Sequence, residues 1–511
     1  MDRVQILHAL FLLASPMCLV SRLNSSVGAW RMGIIGRLAL LATLLAIALQ
    51  TYIYTYPSLN ASQCYWSHEY RGDLTPMQEQ LISIPYIGDL YKQYFMVDQG
   101  TKPGLELEEG QPRDIRMMTV GDPQLNGNWP STPYMKRLDN LGNDYYMRHI
   151  YQVMKKRLDP TFVTMMGDLL SSQWIGDSEF FNRTRRIVNR SFPRPERQVL
   201  TQLEICDKHE DLDWMGYFYE FYDNLNKGFF KDPNFYHFEN VYDWDSEGSF
   251  LDKETGLNKE PLFLNVTGNH DIGYGDTTFQ HMCRWSTLFG KSNYWIEYDN
   301  DTSHPWRIVM LNSLAIDGPM LEPVFKDYVW QFIETLERRK YNGSTILLTH
   351  VPMYKRTGLC NDGPRFEYYE AEGCHGCSPS RVGLLKSQNH LSEEATQRIL
   401  NAVFREGKSG IILTGHDHYG CDNYYNYQEE TNQWVASKTI DSMKWIREVT
   451  VRSIMGDYHG TMGIMTGHFD KNSDAWEFDY SECRFTIQHV WWAAHICTLI
   501  ALLLTSISIF V

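Results

Sequence analysis

The sequence has no excess of positive charge, because 47 lysine and arginine residues stand against 62 aspartate and glutamate residues. The net charge of −15 and the pI near 5.6 argue against a nucleic-acid partner held by phosphate contacts. No repeat of roughly 20 to 50 residues is evident, so a repeat architecture is not indicated. Apolar residues are not scarce: 43% of the 511 residues are hydrophobic and 14% aromatic. This composition excludes a disordered or fibrous chain and suits one large domain or two ordinary ones.

Charge is missing from two long stretches. Residues 38–56 are uncharged, follow three arginines and end in three tyrosines, which predicts a membrane span with the arginines in the cytosol. Residues 490–511 are uncharged to the last residue and predict a second span, the alternative being a buried core helix. The chain between the spans is then translocated.

The first 37 residues are interpreted as a cytosolic or leader segment. Its apolar run at residues 4–20 contains His8 and Pro16, and it is compatible with a signal-like segment, a further span or a leader. An additional span there would invert the topology of everything that follows it. Residues 57–112 read as a polar lumenal stalk.

Cysteines and glycosylation sequons favour a lumenal location for the chain between the spans. Eight of the ten cysteines lie there, an even number that permits four disulfides. Six of the seven Asn-X-Ser/Thr sequons also lie there. The sequons are at Asn24, Asn60, Asn182, Asn189, Asn265, Asn300 and Asn342. Asn265 is expected to carry no glycan because it lies in a predicted buried strand.

Strand and helix patterns alternate from residue 113 to residue 485, which predicts an α/β domain with layered sheets. Strands are predicted at residues 115–120, 162–166, 261–267, 306–312, 344–349 and 410–414. Helices are predicted at residues 80–95, 145–158, 214–230, 323–339 and 392–405. Residues 449–469 are predicted to form a hairpin of strands, and the aromatic region 170–260 is predicted to be an insertion or cap.

The stretch Gly268-Asn269-His270-Asp271 directly follows one predicted strand. An amide, an imidazole and a carboxylate past a strand end suit a metal ion with a proton-transfer group beside it. The tetrapeptide alone is weak evidence, because Asn and Asp are common in ordinary turns.

Five predicted strands end in residues of the types that bind metals. These are Asp122 with Gln124, Asp168, Asn269 with His270, His350, and His416 with His418. Each has an ordinary alternative when taken singly: Asp122 as a turn former, Asp168 as a helix cap and His350 as a loop histidine. Because several strand ends converge on one crevice in α/β proteins, the set predicts a site for two cations.

The order Gly-Asp-X-Gln, Gly-Asp, Gly-Asn-His-Asp, His and Gly-His-Asp-His resembles the calcineurin-like metallophosphoesterase superfamily over about residues 114 to 470. The resemblance implies two packed β-sheets flanked by helices. The two predicted spans and residues 451–457 further resemble the eukaryotic branch that removes ethanolamine phosphate from the mannose of GPI anchors. That branch acts in the early secretory pathway.

The resemblance also implies the roles of the residues. Asp122 and His418 would bind the first metal, Asp168 would bridge, and Asn269, His350 and His416 would bind the second. The cofactors implied are two divalent ions, manganese first, with iron or zinc as alternatives. They would lie about 3.5–4 Å apart and hold the phosphoryl oxygens.

His270 would protonate the leaving oxygen, with Asp271 as its orienting partner. The expected protein is then a membrane-embedded phosphodiesterase of the endoplasmic reticulum or early Golgi, with a lumenal catalytic domain. Its substrate would be a GPI-anchored protein or GPI glycolipid. Alternatives are a non-catalytic lumenal adaptor for GPI-modified cargo and a phosphatase of another substrate class.

Two departures from the superfamily pattern matter. Gln124 replaces a histidine, so it is either a weak oxygen ligand or a group that hydrogen-bonds a ligand, and it favours manganese over zinc. The second motif continues from Asp168 without the Asp-Arg-Gly of protein serine/threonine phosphatases, which argues against a phosphoprotein substrate.

The positions of the cysteines lead to two further predictions about disulfides. Cys374 and Cys377 could form a redox pair or half a zinc site, and a loop disulfide involving Cys360 is the favoured interpretation. Cys64 and Cys483 lie close to the two membrane ends, so a disulfide between them would tie the spans together.

Overall fold

The computed structural model describes residues 33–57, 64–67, 80–81, 83–84, 87–91, 112–129, 131–195, 204, 261–370 and 381–510. The apolar run 4–20, the predicted helix 214–230, and Cys374 and Cys377 lie outside these residues, as do most of the stalk and of the 170–260 insertion. The chain divides into a terminal unit, residues 1–51 with 493–511, and a large unit, residues 52–492.

Nine α-helices lie in the described part of the chain. They are α1 (Ile34–Thr55), α2 (Ile87–Tyr91), α3 (Tyr134–Leu158), α4 (Asp177–Arg186), α5 (Asn269–Ile272), α6 (Phe279–Phe289), α7 (Pro323–Arg339), α8 (Glu393–Phe404) and α9 (Gln488–Phe510). Helices α1 and α9 are long and apolar enough to cross a membrane. They confirm the two predicted apolar helices near the ends of the chain.

Fourteen strands lie in the same residues. They are β1 (Ile115–Val120), β2 (Phe162–Met165), β3 (Leu262–Asn265), β4 (Tyr294–Tyr298), β5 (Trp306–Leu311), β6 (Ser344–Thr349), β7 (Phe366–Tyr368), β8 (Leu385–Gln388), β9 (Gly410–Thr414), β10 (Cys421–Gln428), β11 (Gln433–Ser437), β12 (Trp445–Thr450), β13 (Thr461–Asp470) and β14 (Ala475–Arg484).

The described residues of the large unit form two large sheets and one two-stranded sheet. One has the order β14-β13-β1-β2-β3 and the other the order β11-β10-β12-β9-β6-β5-β4, with β7 and β8 forming a separate pair. Strands β1, β2 and β3 are mutually parallel, and so are β5, β6, β9 and β12. Side chains from both sheets form one buried cluster that includes Met117, Leu264, Ile308, Leu348 and Ile411. The predicted α/β class, with two packed sheets flanked by helices, is confirmed.

Local sequence signals placed several elements correctly. Helix α7 begins at Pro323, where the missing N–H of proline costs nothing. Helix α8 is preceded by Ser392, whose hydroxyl accepts from the Ala395 N–H, and Glu393 and Glu394 complement the positive helix end. Helix α3 begins at Tyr134, earlier than the predicted start at residue 145.

The predicted hairpin within residues 449–469 is wrong. Strand β12 ends at Thr450 and runs parallel to β9 in the seven-stranded sheet, whereas β13 pairs with β1 and β14 in the other sheet. The intervening residues cross from one sheet to the other, with Ser453 bridged to Gly121. The alternation of apolar residues is the same for a hairpin and for two strands in different sheets, so it could not separate them.

Two disulfides lie among the described residues of the large unit. Cys64 bonds Cys483, as its position predicted. Cys360, expected to pair within its own loop, bonds Cys421 instead, which ties the loop after β6 to the start of β10. Each disulfide therefore connects segments that are distant in the sequence.

Asn265 is buried as predicted, and its side-chain oxygen accepts from Arg194 at 2.8 Å. The sequons at Asn182, Asn189, Asn300 and Asn342 are exposed.

Candidate active site

The carboxyl ends of five strands meet where the two sheets adjoin. Strands β1, β2 and β3 bring Asp122, Asp168 and Asn269 from one sheet, and β6 and β9 bring His350 and His416 from the other. The structure thus brings together residues that lie as much as 294 positions apart in the chain. All the predicted site residues are described, and they lie in this cluster or directly beside it.

Asp122, Asp168 and His350 form the centre of the cluster. Ligand atoms of these three buried side chains all lie within 4.8 Å of one another, an arrangement that could hold a metal ion. His350 Nε2 lies 3.5 Å from Asp168 Oδ1, and His350 Nδ1 lies 3.9 Å from Asp122 Oδ1. The two carboxylates therefore converge on one imidazole.

The backbone around the site is held in an uncommon conformation. Four of its residues have positive φ: Asp122 (35°), Gln124 (40°), Asp168 (50°) and His416 (75°). Left-handed backbone is costly for residues other than glycine and tends to occur at functional sites. A Cβ at Gly268 would overlap the backbone and the carboxylate of Asp168, so only glycine allows β3 to approach β2 there.

Backbone carbonyls set which histidine nitrogen faces the site. His350 Nδ1 lies 2.8 Å from Met166 O, and His416 Nε2 lies 2.8 Å from Gln388 O. Because a carbonyl only accepts, each of these nitrogens carries the proton. His350 Nε2 is left as an acceptor facing Asp168, and its distance to Asn269 Oδ1 is 3.0 Å. Such hydrogen bonds orient metal-binding imidazoles.

Gln124 joins the two sides of the cluster. Its amide nitrogen lies 3.1 Å from Asp168 Oδ2 and 3.2 Å from His418 Nε2. The Gln124 amide nitrogen is therefore placed to donate hydrogen bonds to Asp168 and His418. Direct ligation of a metal through the Gln124 oxygen stays a prediction.

His270 is the accessible member of the cluster, with a side chain 39% exposed. Its Nδ1 lies 3.0 Å from Ser171 O, so Nδ1 carries a proton and Nε2 points toward Asp168, 3.8 Å from Oδ2. The His270 N–H also donates to Asp168 Oδ1 at 2.8 Å. The ring is thus oriented with one nitrogen available at the rim of the site.

Asp271 does not take the orienting role proposed for it. Its carboxylate accepts from the Leu170 N–H at 3.0 Å and the Gly268 N–H at 2.9 Å, and it is fully buried. The side chain therefore holds two strand-end loops together, and Ser171 O is the partner that orients His270.

Burial and the nearby Asp168 raise the pKa of Asp122 well above its usual range. Burial opposes ionisation of Asp168, but His350 and His270 outweigh it and hold the pKa of Asp168 below its usual value. Burial lowers the pKa of His416 to about 3 and also lowers the pKa of His350 and His418. His350, His416 and His418 are therefore neutral at physiological pH, which is the form that binds metals.

The donor set fits divalent metal ions. Two carboxylates buried side by side repel each other unless a cation lies between them, and neutral imidazoles with outward-facing protons add nitrogen ligands. Sequence reasoning missed the orienting groups: the carbonyls of Met166, Ser171 and Gln388, and the Tyr274 hydroxyl, 3.3 Å from His416 Nε2. Backbone carbonyls leave no signal in residue types.

No family model matches the chain. The chain is 45% identical over 485 residues to Protein TED1 of Saccharomyces cerevisiae, an alignment covering 93% of this chain and 98% of that protein. The chain belongs to the TED1 family. An uncharacterized protein of Schizosaccharomyces pombe is 24% identical over 453 residues, which cover 79% of this chain and 90% of that protein.

Among solved structures, a putative 5'-nucleotidase from Staphylococcus aureus aligns with a TM-score of 0.31 at 10% identity, covering 75% of this chain and 58% of that one.

Proposed function

We propose that this member of the TED1 family is a membrane-anchored metallophosphoesterase. It hydrolyses a phosphodiester on a lipid-linked glycan, removing ethanolamine phosphate from a GPI-anchor mannose. The observation that carries the proposal is the convergence of Asp122, Asp168 and His350 beneath an accessible His270. Buried carboxylates and imidazoles with one exposed proton donor suit hydrolysis of a phosphate ester.

Asp122, Asp168 and His350, with Asn269, His416 and His418, would hold two divalent ions, manganese first. When bound, the ions supply Lewis-acid stabilisation of the phosphoryl oxygens and activation of water. In its imidazolium form His270 would donate the Nε2 proton to the leaving oxygen and become neutral, because its Nδ1–H stays bonded to Ser171 O. An alkoxide is a poor leaving group, so proton donation at the rim would promote its departure.

The substrate class and location rest on the surroundings of the site. Helices α1 and α9 suit attachment to a membrane, and together with residues 451–457 they resemble the GPI-processing branch. Four exposed sequons suit a lumenal domain of the endoplasmic reticulum or early Golgi. The GPI-anchored protein or glycolipid would then be processed at the membrane that holds the enzyme.

The direct test uses the purified full-length protein in detergent with defined GPI glycans. We expect release of ethanolamine phosphate, detected by mass spectrometry, that is lost after chelation and restored by Mn²⁺. Metal analysis should find two ions per chain. A protein that binds two metals and hydrolyses no phosphate ester would overturn the proposal, and one that binds no stoichiometric metal would favour an adaptor.

Glycopeptide analysis tests the topology. We expect glycans at Asn182, Asn189, Asn300 and Asn342, because each is exposed, and an unmodified Asn265, because its side chain is buried against Arg194. Mass spectrometry after release by peptide-N-glycosidase in ¹⁸O-water marks each occupied site, because the enzyme converts the glycosylated asparagine to ¹⁸O-labelled aspartate. Unmodified asparagine at all four exposed sites would contradict the lumenal orientation.

A further inference from the structure

A polar cavity of about 200 Å³ adjoins the candidate active site. Gln124 belongs to both, since it lines the cavity and its amide nitrogen lies 3.1 Å from Asp168 Oδ2. The opposite wall, Met455 to Asp457, follows Ser453, whose hydroxyl donates to Asp122 O at 3.0 Å. A ligand in the cavity would therefore lie directly beside the metal-type residues.

Amide side chains dominate the cavity wall, and we call it the amide cavity. The amides are Gln124, Asn126, Asn140, Asn143 and Gln488. Asn140 and Asn143 lie on one face of helix α3 together with Lys136 and Asp139. Gln488 donates to the Asn143 oxygen, so this pair can still offer a ligand hydroxyl the Asn143 donors and the Gln488 oxygen.

Three of the four charged side chains in the cavity wall are paired, and the fourth, Asp457, is exposed. Asp144 accepts from Arg186 through both carboxylate oxygens and from Arg190, so it is not available to a ligand. Lys136 pairs with Asp139 at 2.9 Å. The cavity thus favours a neutral polar ligand over a strongly charged one.

One buried acceptor in the wall has no donor. Asn140 is 2% exposed, and its amide nitrogen donates to Gly127 O and Asn128 Oδ1. No group in the described part of the chain donates to Asn140 Oδ1. A buried acceptor without a partner is costly, but this oxygen is closed off from the cavity, so the contacts to a ligand would come from the other amides.

The size of the cavity limits the ligand. Its volume is below the ~300 Å³ of the smallest pockets for drug-sized molecules, so it suits a single small ring. We propose that the amide cavity binds a sugar ring of the substrate through its hydroxyls and thereby positions the attached phosphodiester at the active site. This inference rests on the proposed diesterase function and adds the residues that select a glycan.

The test compares three diesters with the manganese-loaded full-length protein. One is methyl α-mannoside carrying ethanolamine phosphate, the second is methyl ethanolamine phosphate without sugar, and the third is methyl α-mannoside carrying methyl phosphate without the amine. We expect Asn143→Ala to lower kcat/KM about 10-fold for both sugar diesters, through lost hydrogen bonding, and to leave the sugar-free diester unchanged.

Two further variants guard against a folding artefact. A Cβ at Gly456 would meet Gln488 Oε1 at 2.6 Å, so Gly456→Ala should narrow the cavity and show the same dependence on sugar. Lys156→Met, an exposed change on the last turn of the same helix, should leave all three rates unchanged.

Equal losses on all three diesters, a loss that follows the amine, or no loss would overturn the amide cavity as a sugar site. If the wild-type protein hydrolyses none of them, the proposed function fails instead. Saturation-transfer NMR with methyl α-mannoside then tests the cavity: a signal lost in Asn143→Ala supports it, and no signal, or equal signals in both proteins, overturns it.

Discussion

Replacing His270 by alanine is expected to lower kcat for an alkyl phosphodiester by about 10²–10⁴-fold, the usual contribution of a positioned proton donor. The ring is 39% exposed and its Nε2 is the nitrogen left facing the site, because Nδ1 bonds Ser171 O. Removing the ring removes the proton that an alkoxide leaving group needs. The measurement is single-turnover hydrolysis at saturating substrate.

The leaving group distinguishes proton donation from a damaged site. The p-nitrophenolate of a p-nitrophenyl diester leaves without protonation. The variant should therefore lose much less activity on this diester than on the alkyl diester. Metal content and Tm should stay at wild-type values. His304→Ala, at the opposite end of strand β5, serves as the matched control and should be fully active. Equal losses on both diesters would contradict the assigned role.

Replacing Asp122 by asparagine is expected to affect the metal-free and metal-loaded proteins in opposite directions. Asp122 is fully buried, and burial together with Asp168 raises the pKa of its carboxyl group well above the usual range. Because this carboxyl has a higher pKa in the fold than in the unfolded chain, it lowers the stability of the metal-free fold at neutral pH. The amide removes that cost, so the Tm of the metal-free variant should rise by a few degrees.

With metal present the same change is harmful. We expect bound metal to fall below two ions per chain and activity to fall on the order of 10³-fold or more, because a carboxylate ligand is lost. Calorimetry in chelator and in Mn²⁺, together with elemental analysis, measures both effects. A lower Tm in chelator, or full metal content, would contradict the role of Asp122 as a buried ligand held at the expense of stability.

Ordinary sequence signals located much of the fold. Ser392 marks the start of helix α8, and helix α7 runs from Pro323 to Arg339 as predicted, because caps and apolar spacing act within one or two turns. The partner of a strand is not a local property. The segment after Thr450 was therefore predicted as a hairpin, although it crosses between sheets.

The candidate site was likewise predicted from the sequence only in part. The order of Asp122, Asp168, Asn269, His350 and His416 after strands was enough to predict that they converge, since parallel strands end on one edge. The role of Asp271 was not predictable, because its partners are the backbone N–H groups of Leu170 and Gly268. A carboxylate beside a histidine in sequence need not face it in space.

The sequence by itself determined that this chain has an α/β domain between two apolar helices and a set of metal-type residues at its strand ends. Residue type and local spacing carry that information. Only the tertiary structure decided which nitrogen of His270 faces the site, how Gln124 is oriented, and that an amide-lined cavity adjoins Gln124. These features depend on backbone carbonyls and on helix α3 packing beside a distant loop, and neither is encoded in any one segment.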